Sequence, residues 1–192
     1  MQRTPRLRLG SIPDVTGAGL LIRDVGCVCT MSLSPEAEQS RDVYAHAGLA
    51  LYWAQCFEMS LENFLVIHAR LSDHSITLVE LESYEEDVQR KTLGELLQEV
   101  RQRASFDSSA EKAIGDALQK RNYLAHRFFK DRAVDFLSAD GKSRMVSELQ
   151  DLQQCFQIAD TVASAIAQAT GKLLGVRDEM MEQEMKRLAQ RP

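Results

Sequence analysis

Apolar residues recur at alternating intervals of three and four positions from Tyr44 to His68. This spacing places their side chains on one face of a helix. Just before the pattern stand Ser34, whose hydroxyl can cap a helix, and Pro35, which suits a first helical turn. The pattern therefore predicts one long helix that begins at Pro35 and ends near Leu71.

Two capping boxes mark further helix starts. Thr92–Glu95 and Ser108–Glu111 each place a hydroxyl residue three positions before a glutamate, an arrangement that satisfies the first backbone donors of a helix. The first box predicts a short helix through Val100, and the second predicts a helix over residues 108–130. Residues 75–91 stay open, because they combine helix-like apolar spacing with an acidic, solvated stretch.

The pattern predicts one more long helix after this segment. Asp140 and Gly141 indicate a turn, and Ser143 is the expected cap. Helical spacing then continues as far as Ile166, and a glycine near residue 171 or 175 is expected to end the helix. Its predicted apolar stripe consists of Met145, Leu149, Leu152, Phe156, Ala159, Val162 and Ile166.

No segment alternates between apolar and polar residues with the period of two that strands require. The predicted fold class is therefore all-α, an up-and-down bundle of four to five helices over residues 34–175. Residues 176–192 are predicted to form a C-terminal amphipathic helix. Residues 1–33 carry no regular period and are rich in Gly, Pro and Arg, so they are predicted to form a poorly ordered extension.

Composition restricts the function classes without choosing one. The 192 residues carry a net charge of -5, which gives no global basic field for nucleic acid. No apolar run reaches the length of a membrane span, and the four cysteines lack zinc-finger spacing. We therefore expect no metal, no cofactor, no membrane and a cytoplasmic location. One local exception runs from Lys120 to Arg132, with five basic residues against one acid, a net +4.

Within that basic run, Arg121 is the residue that a solvated helix face does not explain. At about 100° per residue, it falls near the centre of the stripe that Ile114, Ala117, Leu118, Leu124, Ala125 and Phe128 form. A charge at a core-facing position requires a partner, because an unpaired buried charge is very costly. Glu58 and Glu62 on the first helix are the candidate partners, and either would satisfy the guanidinium.

Asn122 and His126 lie beside each other on one flank of the same helix, since they are four positions apart. A histidine can act as general acid or base near neutral pH. An arginine binds phosphate through two parallel hydrogen bonds and stabilises the negative charge that develops on it. Together these groups suffice for metal-free cleavage of RNA, in which the 2′-hydroxyl attacks its own phosphodiester.

The string RNYLAH, which begins at Arg121 and ends at His126, resembles the Arg-x4-His signature of the HEPN superfamily of helical domains (higher eukaryotes and prokaryotes nucleotide-binding). Asn122 matches the polar residue that often follows the arginine in that family. The resemblance covers roughly residues 35–170. It implies a metal-independent endoribonuclease of a toxin or defence system, with Arg121, Asn122 and His126 as catalytic residues.

The resemblance also carries expectations about partners. It implies a homodimer that doubles the single motif in one cleft, an RNA substrate and a possible antitoxin protein. The chain departs from one subgroup at Phe128, where that subgroup has a tyrosine that its antitoxin modifies. The alternative is a non-catalytic module of the same fold that binds nucleotides or proteins.

Other candidate residues favour structural roles. His68 lies on the apolar stripe of the first helix and is expected to be a core histidine. Cys56 and Cys155 are expected to be core thiols. Trp53 and Phe57 lie at the edge of the first helix's apolar stripe, and core and dimer interface remain equal alternatives for them.

Overall fold

The computed structural model describes residues 34–190, and this part of the chain is all-α with no strand, which confirms the predicted all-α class. Residues 34–175 contain six α-helices rather than the four to five predicted, because residues 75–91 form a helix and the predicted helix over residues 108–130 is divided in two. The predicted N-terminal extension, with Cys27 and Cys29, lies outside the described residues. In chain order the helices are α1 (Pro35–Ser72), α2 (Leu78–Gln89), α3 (Leu93–Arg103), α4 (Ser108–His126), the single turn α5 (Phe128–Asp131), a 3-10 turn (Asp135–Leu137), α6 (Ala139–Leu173) and α7 (Asp178–Ala189).

The helix starts follow local capping chemistry. The Ser34 hydroxyl accepts a hydrogen bond from the backbone N–H of Ala37, as the sequence predicts. The Thr92 box is complete in both directions. Residues 75–91, which the pattern left open, contain α2, which begins with a second complete box between Thr77 and Glu80. That box was readable in the sequence from the same Thr-x-x-Glu spacing.

The predicted capping box at Ser108 is wrong by one residue. The cap of α4 is Asp107, whose carboxylate accepts hydrogen bonds from the backbone N–H of Ala110 and from the Ser109 hydroxyl, both at 2.8 Å. These bonds lower the pKa of Asp107. A carboxylate also interacts favourably with the positive end of the helix dipole, so aspartate displaces the neighbouring serine from this position.

The predicted single helix over residues 108–130 is interrupted. It ends at His126, because Arg127 leaves the helical region with φ −130° and ψ −31°. The chain resumes at Phe128 as the short α5, and Phe128 is fully buried. Burial of this ring in the core accompanies a break that the sequence pattern does not reveal, since the apolar period continues across it.

The start of α6 also differs from the prediction. Ser138, rather than Ser143, caps the helix by accepting from the backbone N–H of Gly141 at 3.1 Å. The predicted turn at residues 140 and 141 is wrong, because Gly141 lies inside the helix, where its α-carbon packs on the backbone of Asp135. Glycine serves there as the residue that permits close approach rather than as a turn former.

At the other end of α6, the predicted glycine stop is present. The helix ends at Leu173, and Gly175 adopts a positive φ of 82°. The backbone N–H of Val176 donates to the carbonyl of Gly171 at 3.1 Å, which satisfies one of the last helical acceptors. Of the two glycines that the sequence offers, Gly175 is therefore the one with the left-handed conformation.

The three longest helices alternate in direction along the chain. α1 and α6 run parallel, since Ser60 bonds Asp160 and His46 contacts Gln153. The segment formed by α4 and α5 runs antiparallel to α1, because Arg121 of α4 lies beside Glu58 whereas Phe129 of α5 lies beside Tyr44. The core between them is centred on fully buried aliphatic and aromatic side chains that include Phe57, Leu61, Leu65, Ile114, Phe128, Met145, Leu149 and Phe156.

Several predicted core positions differ in detail. Phe57 is buried and Trp53 packs half-buried against the core, which assigns Phe57 to the core of the chain. Cys56, Cys155 and His68 are half-buried rather than enclosed. The His68 ring contacts Phe64, and its Nδ1 lies 3.1 Å from the hydroxyl of Ser72. Among the described residues no helix is both long enough and apolar enough to cross a bilayer.

We expect Gly141→Ala to lower the free energy of unfolding by about 1–3 kcal/mol, the usual cost of overpacking. A β-carbon at this position would overlap the backbone carbonyl of Asp135, which no side-chain rotation relieves. Gly115→Ala is the matched control, because the same added methyl would meet nothing within 4 Å inside α4. The control should gain about 0.5–1 kcal/mol from helix propensity. Urea unfolding measures both, and equal effects would contradict the proposed contact.

Candidate functional site

Arg121 lies at the edge of the core, where α4 meets α1. Its Nη2 is 3.0 Å from Oε1 of Glu58, and the two side chains are 30% and 19% exposed. The ion pair expected from the sequence is therefore present with Glu58. One carboxylate occupies only part of a guanidinium, which carries five N–H donors, so the partly exposed Arg121 keeps donors that a ligand can reach.

Glu62, the other candidate partner, forms no ion pair with Arg121 or with any other described residue. It is half-buried one turn beyond Glu58. Burial raises the pKa of Glu62, and the neighbouring carboxylates of Glu58 and Glu85 raise it further. A cation beside Glu62 would therefore stabilise its charged form, and no described residue of the same chain supplies one.

The basic run from Lys120 to Arg132 is largely neutralised within the chain. Arg127 pairs with Asp131 at 3.1 Å, and Arg132 pairs with Glu148 at 2.7 Å. Together with the Arg121–Glu58 pair, these contacts bind all three arginines to carboxylates. The local +4 counted along the sequence therefore overstates the positive charge that a phosphate backbone would meet.

Asn122 and His126 are exposed neighbours on the outer flank of α4, as their spacing predicts. Neither side chain makes a hydrogen bond or ion pair with another described residue, so both are available to a ligand. His126 is the last residue of α4, immediately before the chain turns at Arg127. Ala125, which the helical wheel placed in the buried stripe, is exposed beside them, and this part of the prediction is wrong.

Arg121 and His126 do not meet within one chain. Five residues at about 100° each place them roughly 140° apart around α4. Arg121 faces α1, whereas His126 faces solvent. A substrate that touches both would have to lie along the edge of α4, or a second chain would have to supply one of the two groups.

An aromatic cluster closes the α1–α4 edge at the end near His126. The Tyr44 ring lies 5.9 Å from that of Phe129 and 5.5 Å from that of Phe136. Tyr44 and Phe129 nevertheless remain about half exposed. The edge that holds Arg121 therefore continues into a surface of exposed aromatic rings.

Tyr123 and Phe128 have structural partners that explain their identity. The Tyr123 hydroxyl donates to Glu148 at 2.9 Å, and burial together with this carboxylate raises the pKa of Tyr123. Glu148 also accepts from Arg132, so it joins both α4 and the segment after α5 to α6. Phe128, at the position where one HEPN subgroup has a modified tyrosine, is fully buried and packs edge-on against Tyr123.

Two buried polar residues of α6, Lys142 and Gln153, were not predicted from the sequence. Lys142 is only 3% exposed, with its ammonium over the Phe136 ring at 5.4 Å and 3.8 Å from Glu36. Gln153 is buried and donates to the backbone carbonyl of His46 at 2.9 Å. Lys142 could have been found from its position three residues before Met145, since that spacing puts it on the buried stripe of α6.

Comparisons of the chain with protein-family models, with curated proteins and with solved structures give no significant match. The resemblance to the HEPN superfamily therefore rests on the RNYLAH string and its helical setting alone.

The Arg121–Glu58 pair should contribute a measurable coupling energy. We expect a double-mutant cycle of Arg121→Ala and Glu58→Ala to give about 1 kcal/mol, because both side chains retain solvent contact that screens the charges. The more exposed pair of Arg127 and Asp131 is the matched control and should couple by less than about 0.5 kcal/mol. Urea unfolding of the single and double variants measures both cycles. Equal coupling in the two pairs would show that the core-edge position of Arg121 has no energetic consequence.

Proposed function

We propose that the chain is a metal-independent endoribonuclease of the HEPN type, active as a homodimer. The observation that supports this most directly is the arrangement on α4: a held but partly exposed Arg121 with Asn122 and His126 exposed on the adjoining flank. The three residue types supply phosphate recognition, an orienting amide and a proton-transfer group within two helical turns.

In this reaction the ribose 2′-oxygen attacks the adjacent phosphorus, and the bond from phosphorus to the 5′-oxygen breaks. His126 takes the proton from the 2′-hydroxyl, and a second acid protonates the leaving 5′-oxygen. The products are a 2′,3′-cyclic phosphate and a 5′-hydroxyl. Arg121 stabilises the charge on the phosphoryl oxygens in the transition state, and Asn122 orients the substrate or the imidazole.

The separation of Arg121 from His126 around α4 supports the homodimer. A single chain offers one histidine, whereas this reaction uses both a base and an acid. A second copy placed against the same edge would provide the other histidine and a second arginine. The toxin or defence role, and an antitoxin as partner, follow only from the resemblance and belong to the same proposal.

The ion pair favours one alternative. Because Glu58 already neutralises much of Arg121, the site also suits a non-catalytic module in which Arg121 is structural and Asn122 and His126 contact a nucleotide or a protein. Such a module would bind RNA or nucleotides without cleaving them.

Incubation of the purified full chain with a labelled single-stranded RNA of mixed sequence and excess EDTA tests the proposal. We expect fragments that end in 2′,3′-cyclic phosphate. The His126→Ala variant should cleave about 10²–10⁴-fold more slowly, as is typical when a general acid–base group is removed. Arg121→Lys should also be slow, because lysine keeps the charge but loses the planar pair of donors.

Two controls sharpen this experiment. His74→Ala removes another exposed histidine, in the turn after α1, and should leave cleavage unchanged. An RNA that carries a 2′-deoxyribose at the cleaved position should resist cleavage, since the nucleophile is missing. Absence of cleavage by the wild-type chain, or full activity of His126→Ala, would refute the ribonuclease; binding without cleavage would favour the non-catalytic alternative.

A further inference from the structure

One face of α1 is turned to solvent although it carries large apolar side chains. Its members, which we call the α1 stripe, lie within an arc of about 100° on the helix. They are Arg41, Tyr44, Gly48, Leu51, Tyr52, Gln55, Met59 and Glu62. All are exposed except Glu62, which is half-buried. An exposed apolar face of this kind marks an interaction surface more often than isolated apolar residues do.

Gly48 gives the α1 stripe a second unusual feature. It lies in the middle of a 38-residue helix, where glycine costs about 1 kcal/mol relative to alanine. A β-carbon at Gly48 would meet nothing within 4 Å, so packing inside the chain does not require glycine there. A missing side chain at the centre of an exposed helical face allows another helix to approach closely.

The α1 stripe is symmetric about the point between Leu51 and Tyr52. If two copies of α1 cross antiparallel at this point, Tyr44 of one faces Met59 of the other, and Gly48 faces Gln55. In the same register Arg41 faces Glu62 at both ends of the contact. Arg41 is exposed and forms a 3.4 Å ion pair with the adjacent Asp42. Glu62 has no ion-pair partner among the described residues, and burial raises its pKa.

We propose that the α1 stripe is the surface on which a second copy of this chain docks, antiparallel and two-fold symmetric, with Arg41 of each copy bound to Glu62 of the other. An isologous contact uses the same patch on both subunits, and this stripe is complementary to itself in shape and charge. The inference names the partner surface of the homodimer in the proposed function and rests on that function for its catalytic consequence.

The size of the surface is adequate for a stable dimer. From Arg41 to Glu62 the stripe is about 32 Å long at 1.5 Å per residue. The adjoining edge of α4 and α5, with Asn122 and Phe129, widens the surface to about two helix diameters, roughly 20 Å. This area is of the same order as the roughly 800 Å² that each partner buries in a standard interface.

The same register explains how the catalytic groups would come together. Arg121 lies beside Glu58 and Phe129 lies beside Tyr44, so the intervening His126 is level with the middle of the α1 stripe. The two-fold axis passes through that middle. Docking therefore brings the His126 residues of both copies towards one shared opening between the two α4 edges.

Sedimentation velocity of the full chain over a range of micromolar concentrations tests the surface. We expect a dimer for the wild type. Leu51→Glu places two carboxylates near the axis and should give a monomer. Leu49→Glu is the matched control, because Leu49 and Leu51 are 43% and 44% exposed on different faces of the same helix. The control should remain dimeric, and both variants should still unfold cooperatively on heating, which shows that each chain folds.

Charge reversal tests the register. Arg41→Glu and Glu62→Arg should each weaken the dimer by about tenfold, because each change replaces two symmetric attractions with two repulsions. The double variant restores opposite charges and should return the dissociation constant to near the wild-type value. A double variant as weak as the single ones would refute the Arg41–Glu62 pairing.

The outcomes separate this inference from the ribonuclease. The docking surface would be refuted if the wild type is a monomer at all concentrations, or if the Leu51→Glu variant remains dimeric. In either case the RNA cleavage assay still tests the ribonuclease activity independently. A dimer that Leu51→Glu disrupts supports the surface even if the chain does not cleave RNA. If Leu51→Glu is monomeric and cleaves RNA at the wild-type rate, the surface stands but the shared catalytic opening is refuted.

Discussion

Burial of one face of α1 is the constraint on which the rest of the structure depends. α2, α3, α4 and α6 all pack on this helix, and its buried members, such as Phe57, Leu61 and Leu65, stand at the centre of the core. Removing these side chains from water is the dominant favourable term in such a fold. Because α1 serves as the common support, the position of Arg121 is set by the contact of α4 with α1 rather than by a local loop.

The sequence predicts most of the helices because apolar period and capping chemistry are local signals. α1, α3 and the end of α6 follow directly from them, and Thr77 and Glu80 would have defined α2 as well. The break after His126 and the cap at Ser138 were not predictable in this way. Both depend on packing that apolar period and capping residues do not encode, namely the burial of Phe128 and the close packing of Gly141 on Asp135.

For the candidate site, the sequence shows which residues need an explanation, and the structure shows how each one is held. The core-facing register of Arg121 implied a carboxylate partner, and Glu58 is that partner, whereas the choice between Glu58 and Glu62 needed the packing angle of α4. The net charge of the basic run overstated its exposed positive charge, because counting residues along the chain does not show which acids Arg127 and Arg132 bind. The exposed flank of Asn122 and His126 followed from helical spacing alone.

The connection between α4 and α6 looks like an ordinary linker in the sequence, but residues 127–138 are anchored along their length. Arg132 binds Glu148, Asp135 is bound by Arg144, and the Phe136 ring lies between Tyr44 and Lys142. A change in the length of this segment would therefore be poorly tolerated, because it would break contacts with both α1 and α6. Relatives of this chain should therefore conserve the number of residues between His126 and α6.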